Sequence, residues 1–253
     1  LVGLARGSWW ILNRLKQSAT DLLLPPQCAR CGIDLPEFDR IPLCADCQAV
    51  LSNDDAFCPR CGQFGQRHGG DGTACLRCRE AKFRFDSVIS LGWYRGDLRE
   101  AILTMKRPSG ECLSTGIAQL LAVRREHLLR GFDADCIVPI PMYWGRRIWR
   151  GVNSAQVLSE ELSRQVGVPV LTGVLVRNRN TRPQKDLGHA ERFRNVRGAF
   201  SLRRGYGLGG TRVIVVDDVM TTGATCNEVT KVLKKGGVNA VCAVVVGRAA
   251  TGR

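Results

Sequence analysis

Val213-Ile214-Val215-Val216-Asp217-Asp218-Val219-Met220-Thr221-Thr222-Gly223-Ala224-Thr225 is the stretch whose reading decides the fold. Four β-branched residues form a buried strand, two adjacent carboxylates follow, and a small-residue loop rich in hydroxyls and glycine comes next. Cys226 to Lys235 then reads as a helix, with Val229, Val232 and Leu233 on one face and Gly236-Gly237 as its stop. Strand, acidic pair, loop and helix start describe a site for a phosphorylated sugar. Amides at a helix N-terminus, helped by threonine hydroxyls, cradle a phosphate. Carboxylates at the carboxyl end of a strand accept hydrogen bonds from vicinal ribose hydroxyls. No Gly-Lys-Ser/Thr follows, so the loop is not a Walker P-loop.

This arrangement resembles the phosphoribosyl pyrophosphate (PRPP) signature of type I phosphoribosyltransferases. The resemblance implies that Asp217 and Asp218 hold the ribose and act as the catalytic carboxylates. Thr221, Thr222, Gly223, Ala224 and Thr225 then hold the 5-phosphate, and Mg²⁺ accompanies PRPP.

From Phe85 onward strands and helices alternate. Ser87 to Tyr94, Cys136 to Ile140, Val213 to Val216 and Val241 to Val246 read as strands. Asp97 to Lys106, Leu113 to Leu129 and Asn153 to Val166 read as helices. That order predicts an α/β fold with a parallel sheet covered by helices on both faces, the type I phosphoribosyltransferase-like sheet. Ligands of such sheets lie at the carboxyl ends of the strands. Two further loops can complete the site. Val138-Pro139-Ile140-Pro141 leads toward Arg146, Arg147 and Arg150, whose forked donors suit phosphate oxygens. The polar run from Arg177 to Lys185 reads as a flap able to exclude water.

Eight of the twelve cysteines fall between positions 28 and 78, all in C-x-x-C pairs: Cys28/Cys31, Cys44/Cys47, Cys58/Cys61 and Cys75/Cys78. Such spacing lets two thiolates chelate one ion from a tight turn, and Gly32 and Gly62 permit the backbone to fold toward sulfur. A disulfide framework would need an oxidising compartment, and a thioredoxin-like redox site would need only one pair. Four repeated pairs predict a small double zinc ribbon with two structural Zn²⁺ sites. Cys28, Cys31, Cys44 and Cys47 form the first; Cys58, Cys61, Cys75 and Cys78 form the second. Large apolar residues are few there, so metal replaces an undersized core.

The formal charge of +14 falls to +10 once each Zn²⁺ is counted with four thiolates, and it is concentrated. Between Ile140 and Arg204 thirteen Arg or Lys residues face four acids, a local +9 that attracts polyanions. No segment has the unbroken apolar length of a membrane span. Trp9 to Leu24 reads as an amphipathic helix packed on the rest of the protein.

Taken together, the paired-cysteine array, Leu103-Thr104-Met105-Lys106, Val138-Pro-Ile-Pro followed by Arg150-Gly151-Val152-Asn153, and Arg179-x-Thr181-x-x-Gln184 through Asn195-Val-Arg-Gly198-Ala-Phe200 resemble the bacterial ComF family. Where family forms commonly show Arg-Gly-Phe-Asn-Gln, this chain has Arg150-Gly151-Val152-Asn153-Ser154. The resemblance implies a cytoplasmic protein with residues 1–24 as an N-terminal helix, 25–82 as the double zinc ribbon and 85–253 as the phosphoribosyltransferase-like domain. It implies either phosphoribosyl transfer from PRPP to an acceptor, or handling of single-stranded DNA beside a DNA-uptake helicase in natural transformation. The basic segment, with Trp144 and Trp149 for base stacking, fits the second reading. The intact Asp217-Asp218 and Thr221–Thr225 fit the first.

Overall fold

The protein is described by a computed structural model covering residues 26–36, 41–53, 55–64, 75–143, 145, 153–182 and 187–250. The amphipathic stretch 1–24, Trp144, Arg146, Arg147, Trp149, Arg150, Gln184 and Lys185 lie outside the described residues.

Four parallel strands form the sheet: β1 (Ser87–Trp93), β2 (Cys136–Pro139), β5 (Arg212–Met220) and β6 (Ala240–Arg248), in the order β1-β6-β5-β2. The central pair is continuous valine-rich sequence because both faces are covered. Side chains alternate. Ile214, Val216, Cys242 and Val244 face one core, while Val213, Val215, Val241 and Ala243 face the other. On the first face lie α3 (Gly96–Met105), α4 (Glu111–Arg124) and α6 (Ser154–Val166). On the second lie α8 (Ala224–Lys235), α7 (His189–Val196) and a two-stranded antiparallel ribbon of β3 (Leu175–Arg177) and β4 (Phe200–Leu202).

The helical pattern from Leu113 to Leu129 divides in two. It stops at Arg125 (φ −120°), and α5 (Glu126–Gly131) follows. The cause is a buried cation. The Arg125 guanidinium donates to Ser90 O (2.9 Å), Leu91 O (3.2 Å) and Asn53 O, so the chain turns to deliver it to the edge of β1.

Each cysteine module begins with the same hairpin knuckle. Cys28 N–H donates to Ile33 O and Gly32 N–H to Cys28 O, and the second module repeats this with Cys58, Gln63 and Gly62. Bridges Gln27↔Asp34 and Phe57↔Phe64 close the two hairpins. The second cysteine pair of each module opens a short helix, α1 (Ala45–Leu51) after Cys44 and α2 (Leu76–Glu80) after Cys75. The modules therefore combine a knuckle with a helix start where the spacing foresaw ribbons. A helix presents Cys44 and Cys47, or Cys75 and Cys78, one turn apart on one side.

The modules straddle the outer edge of β1. The first buries Leu43 and Leu51 against α3 and α4, each contributing roughly 1.5–3 kcal/mol. The second packs Cys58, Cys61 and Cys75 into the opposite core with Phe83, Phe85 and Val88. The chain between them runs along β1: Asn53 N–H donates to Leu91 O and Val88 N–H to Pro59 O. These bonds occupy an edge that would otherwise be free to pair with another chain.

The two knuckle glycines have nearly equal backbones, φ +75° at Gly32 and +71° at Gly62, but different neighbours. A Cβ on Gly32 meets nothing within 4 Å, whereas one on Gly62 would lie 2.6 Å from Val88 Cγ1. Gly32→Ala is expected to cost only the left-handed strain of about 1 kcal/mol, and Gly62→Ala a further 1–3 kcal/mol or so from overpacking. Urea unfolding of both variants measures the difference; equal losses would mean that the second knuckle does not dock as described.

Candidate functional site

β2 stops at Pro139, beside Val216, while β5 continues with β6 alongside as far as Met220↔Arg248. Asp217 and Asp218 thus lie inside β5, not beyond its end, on a stretch whose β2 flank is open. One row of the ladder is skipped. Val246 pairs with neither Leu91 nor Asp218, although the rows on either side are in register. Beyond this row the alternation changes phase, since a Cβ on Gly247 would meet Ile102 and Tyr94 on the α3 side. Asp217 remains on the side of α8, and Asp218 reaches Lys106 at the end of α3.

Burial first, and then the charge of Asp218, push Asp217 up to about 7, against the pull of the Asp218 amide, Lys106 and Arg177. The Asp218 N–H donates to Asp217 Oδ1 at 2.9 Å. Lys106 Nζ lies 2.8 Å from Asp218 Oδ2, with both side chains roughly one-fifth exposed.

Thr221 to Thr225 lead into α8. Gly223 (φ +83°) makes the turn in a conformation that side chains rarely adopt, with the Phe83 and Phe85 rings alongside. The Thr222 hydroxyl, buried, accepts the Ala224 N–H at 3.3 Å. The start of this twelve-residue helix presents the positive end of its dipole beside the acids. The Ile140 N–H donates to Val216 O, so the Val138–Pro141 loop opens next to the same carboxylates. The described part of the polar 177–185 run is tied to the chain around Asn195. Arg182 N–H donates to Asn195 Oδ1, and Arg179 donates to Arg197 O.

Two arginines that sequence reasoning passed over carry the loop. Arg248, fully buried, donates to Cys61 O (3.0 Å), Met220 O (3.0 Å), Thr221 O and Ala249 O (2.8 Å). Arg77, between Cys75 and Cys78, donates to Thr222 O at 3.0 Å. Three successive loop carbonyls are therefore held from the second cysteine module and the last strand. Lys106 was also unassigned, although its place at the end of an amphipathic helix was a usable signal.

In each four-cysteine group all four sulfurs lie within 4.8 Å of one another. Cys31–Cys44, Cys58–Cys78 and Cys61–Cys75 are 3.8, 3.9 and 3.5 Å apart. Zn–S bonds of about 2.3 Å in a tetrahedron put sulfurs about 3.8 Å apart, so the groups fit zinc, whereas a disulfide needs about 2.05 Å. Without a cation the thiols compete for charge. Burial pushes Cys78 up to about 12, while the neighbouring Cys61 thiol brings Cys58 down to about 4. The Cys44 N–H lies 3.3 Å from Cys28 Sγ, the backbone support expected of a thiolate ligand. Among the described residues no helix is long and apolar enough to cross a membrane.

Residues 150–253 match the phosphoribosyl transferase domain. The chain is 34% identical over 208 residues to competence protein F of Haemophilus influenzae, covering 79% of this chain and 87% of that protein. It is 29% identical over 224 residues to the DNA utilization protein YhgH of Escherichia coli K12, covering 87% and 96%. Among solved structures, a purine phosphoribosyltransferase from Pyrococcus horikoshii aligns at a TM-score of 0.34 with 18% identity, over 53% of this chain and 83% of that one. The parallel sheet with helices on both faces, preceded by two four-cysteine clusters, is the type I phosphoribosyltransferase fold expected from the sequence.

Metal analysis of the purified chain is expected to return about two zinc per chain, falling to about one in Cys61→Ala; a value well below one in the unaltered protein would overturn both sites. Asp217 gives a pH signature. Folded, it keeps its proton to about pH 7; unfolded, it releases it near 3.8. The native state therefore binds the extra proton between these values, and stability falls as pH rises through that window. Asp217→Asn removes the loss. Its stability gain over the unaltered chain in urea is expected to be on the order of 1–2 kcal/mol larger at pH 8 than at pH 5.5. A gain independent of pH would contradict the burial.

Proposed function

The chain belongs to the competence protein F (ComF) family, and on that premise we propose that it binds PRPP and transfers the 5-phosphoribosyl group to an acceptor. One observation carries the reading: only Val219 and Met220 separate the acidic pair of β5 from the hydroxyl-rich loop that opens α8. Asp217 and Asp218 accept the ribose 2- and 3-hydroxyls. The 221–225 loop and the first turn of α8 take the 5-phosphate, and Arg146 and Arg147 are further phosphate donors. Two adjacent carboxylates beside phosphate oxygens suit Mg²⁺, which when bound neutralises the pyrophosphate. The C1–O bond to pyrophosphate breaks with its electron pair leaving on pyrophosphate. The acceptor's lone pair forms the new bond, and its proton goes to solvent. No side chain need act as acid or base; positioning and charge supply the acceleration. Residues 1–24, 25–82 and 85–253 are proposed as the helix, metal-binding and phosphoribosyltransferase-like units of a cytoplasmic protein.

A second reading has its own support. The relatives' names concern competence and DNA utilization, and residues 140–204 carry a net +9. This basic segment is proposed to meet the phosphates of single-stranded DNA in partnership with a DNA-uptake helicase. The two readings are compatible.

Calorimetry with PRPP and Mg²⁺ is expected to show binding that Asp217→Asn/Asp218→Asn weakens by about tenfold or more. No binding by the unaltered chain would sink the enzymatic reading. Binding of single-stranded DNA is expected to weaken steeply as salt rises. A flat salt dependence, or none bound, would sink the second reading.

A further inference from the structure

Lys106 is built into the site from outside its motif. It caps the C-terminus of α3 (φ −81°, ψ −4°), where a cation meets the negative end of the helix dipole. The backbone around it is fixed on three sides. Met105 is fully buried, and its carbonyl accepts the Ser154 hydroxyl at 3.4 Å. Arg107 N–H donates to Thr104 O at 2.9 Å and Gly110 N–H to Arg107 O at 3.0 Å, closing the turn Pro108–Gly110 beneath the helix end. Gly110 permits that closure, because a Cβ there would lie 2.2 Å from Thr104 O and 2.7 Å from Met105 Cα. A long flexible side chain is thus launched from an immobile base toward Asp218.

The placement has a direction. α8, with the phosphate loop, packs on one face of the sheet; α3, with Lys106, packs on the other. The acidic pair lies on the ridge between them. A ribose held at its 2- and 3-hydroxyls by Asp217 and Asp218, with its 5-phosphate at the start of α8, directs its anomeric substituent away from α8 and toward the end of α3. A ligand with anionic groups at both ends of the sugar therefore meets a donor on each face.

Resting on the PRPP reading above, we propose that Lys106 is the residue that binds the anomeric pyrophosphate. In the ligand-free site its ammonium neutralises Asp218 at 2.8 Å. When the ribose diol donates to Asp218, the ammonium transfers to a pyrophosphate oxygen. The transfer exchanges one charge-assisted bond for another, so the half-buried cation is never left unpaired. A ligand carrying only the 5-phosphate offers Lys106 nothing in return for leaving Asp218. Lys106 therefore discriminates PRPP from ribose 5-phosphate.

The test is calorimetry of the full zinc-loaded chain with PRPP and, separately, with ribose 5-phosphate, both in Mg²⁺, for the unaltered protein, Lys106→Met, Lys106→Gln and Lys106→Arg, with thermal melting as the check on folding. Both neutral variants are expected to bind PRPP about tenfold or more weakly and ribose 5-phosphate as well as or better than the unaltered chain. Lys106→Arg is expected to keep most of the preference for PRPP. Equal weakening for both ligands would place Lys106 on the sugar or in the scaffold, and unchanged PRPP binding would remove it from the site; either overturns the proposal. Should Lys106→Met melt early, Lys106→Gln and Lys106→Arg carry the comparison. If the unaltered chain binds neither ligand, the PRPP reading itself falls, an outcome distinct from a lost preference between two ligands that bind.

Discussion

The site depends on where Arg248 puts its charge. This guanidinium is sealed from solvent at the end of the last strand, and carbonyls from Cys61, Met220, Thr221 and Ala249 converge on it. Carbonyl dipoles alone do not repay the desolvation of a cation, and burial followed by the neighbouring Arg77 already drags Arg248 down to about 10. Among the described residues no carboxylate forms an ion pair with it. Opposite charge is available from sulfur when the second cluster holds a metal, since its Cys61 and Cys75 act on Arg248 against the burial. Four thiolates around one divalent ion retain a net −2, so a metal-filled cluster stabilises Arg248 and Arg77 together. Both arginines donate to carbonyls of residues 220–222. A metal-filled cluster would therefore help hold the 221–225 loop in shape, beside the loop's own turn.

The same economy explains why the cysteine modules sit where they do. Neither carries enough large apolar residues to fold on its own core, and each lends its buried face to one side of the sheet. Their connecting chain supplies β1 with the hydrogen bonds of a missing neighbour strand, and Arg125 ties that chain to Leu91 and Asn53 at the cost of breaking a helix. Gathering of the cysteines, edge protection and core completion are thus one structural event.

The regular parts of this design were legible in the sequence. The run Val213 to Val216 and the period of Val229, Val232 and Leu233 located β5 and α8 because backbone geometry writes itself into residue spacing. Four C-x-x-C pairs located both four-cysteine groups for the same reason, since chelation geometry is local. The three-residue strands β3 and β4 were not legible, because three residues do not establish a period. Helix α7, His-Ala-Glu-Arg-Phe-Arg-Asn-Val, shows few apolar residues, and its start is marked only by the Gly188 N–H donating to Glu191. Arg125 and Arg248 look like any surface arginine in sequence. Apart from Ala249 O, the carbonyls that hold them lie 27 to 187 residues away, which no local pattern records.

Adjacent carboxylates are an awkward element for the middle of a sheet, and the way the fold accommodates them defines what the site accepts. Strict alternation would aim one into each core, where neither could stay ionised. The skipped row at Leu91, Val246 and Asp218 relaxes that alternation, and the early end of β2 opens the flank beside the pair. Asp217 still bears the cost as a carboxyl pushed up to about 7, while Asp218 is matched by Lys106 from the opposite face. A ligand that donates hydroxyl hydrogens to both acids relieves the first strain without adding charge. One that also carries an anion on each side of the sugar keeps both Lys106 and the α8 terminus paired. If the site takes PRPP as proposed, the pair is a selective element that favours a diol flanked by two phosphate groups over either half alone.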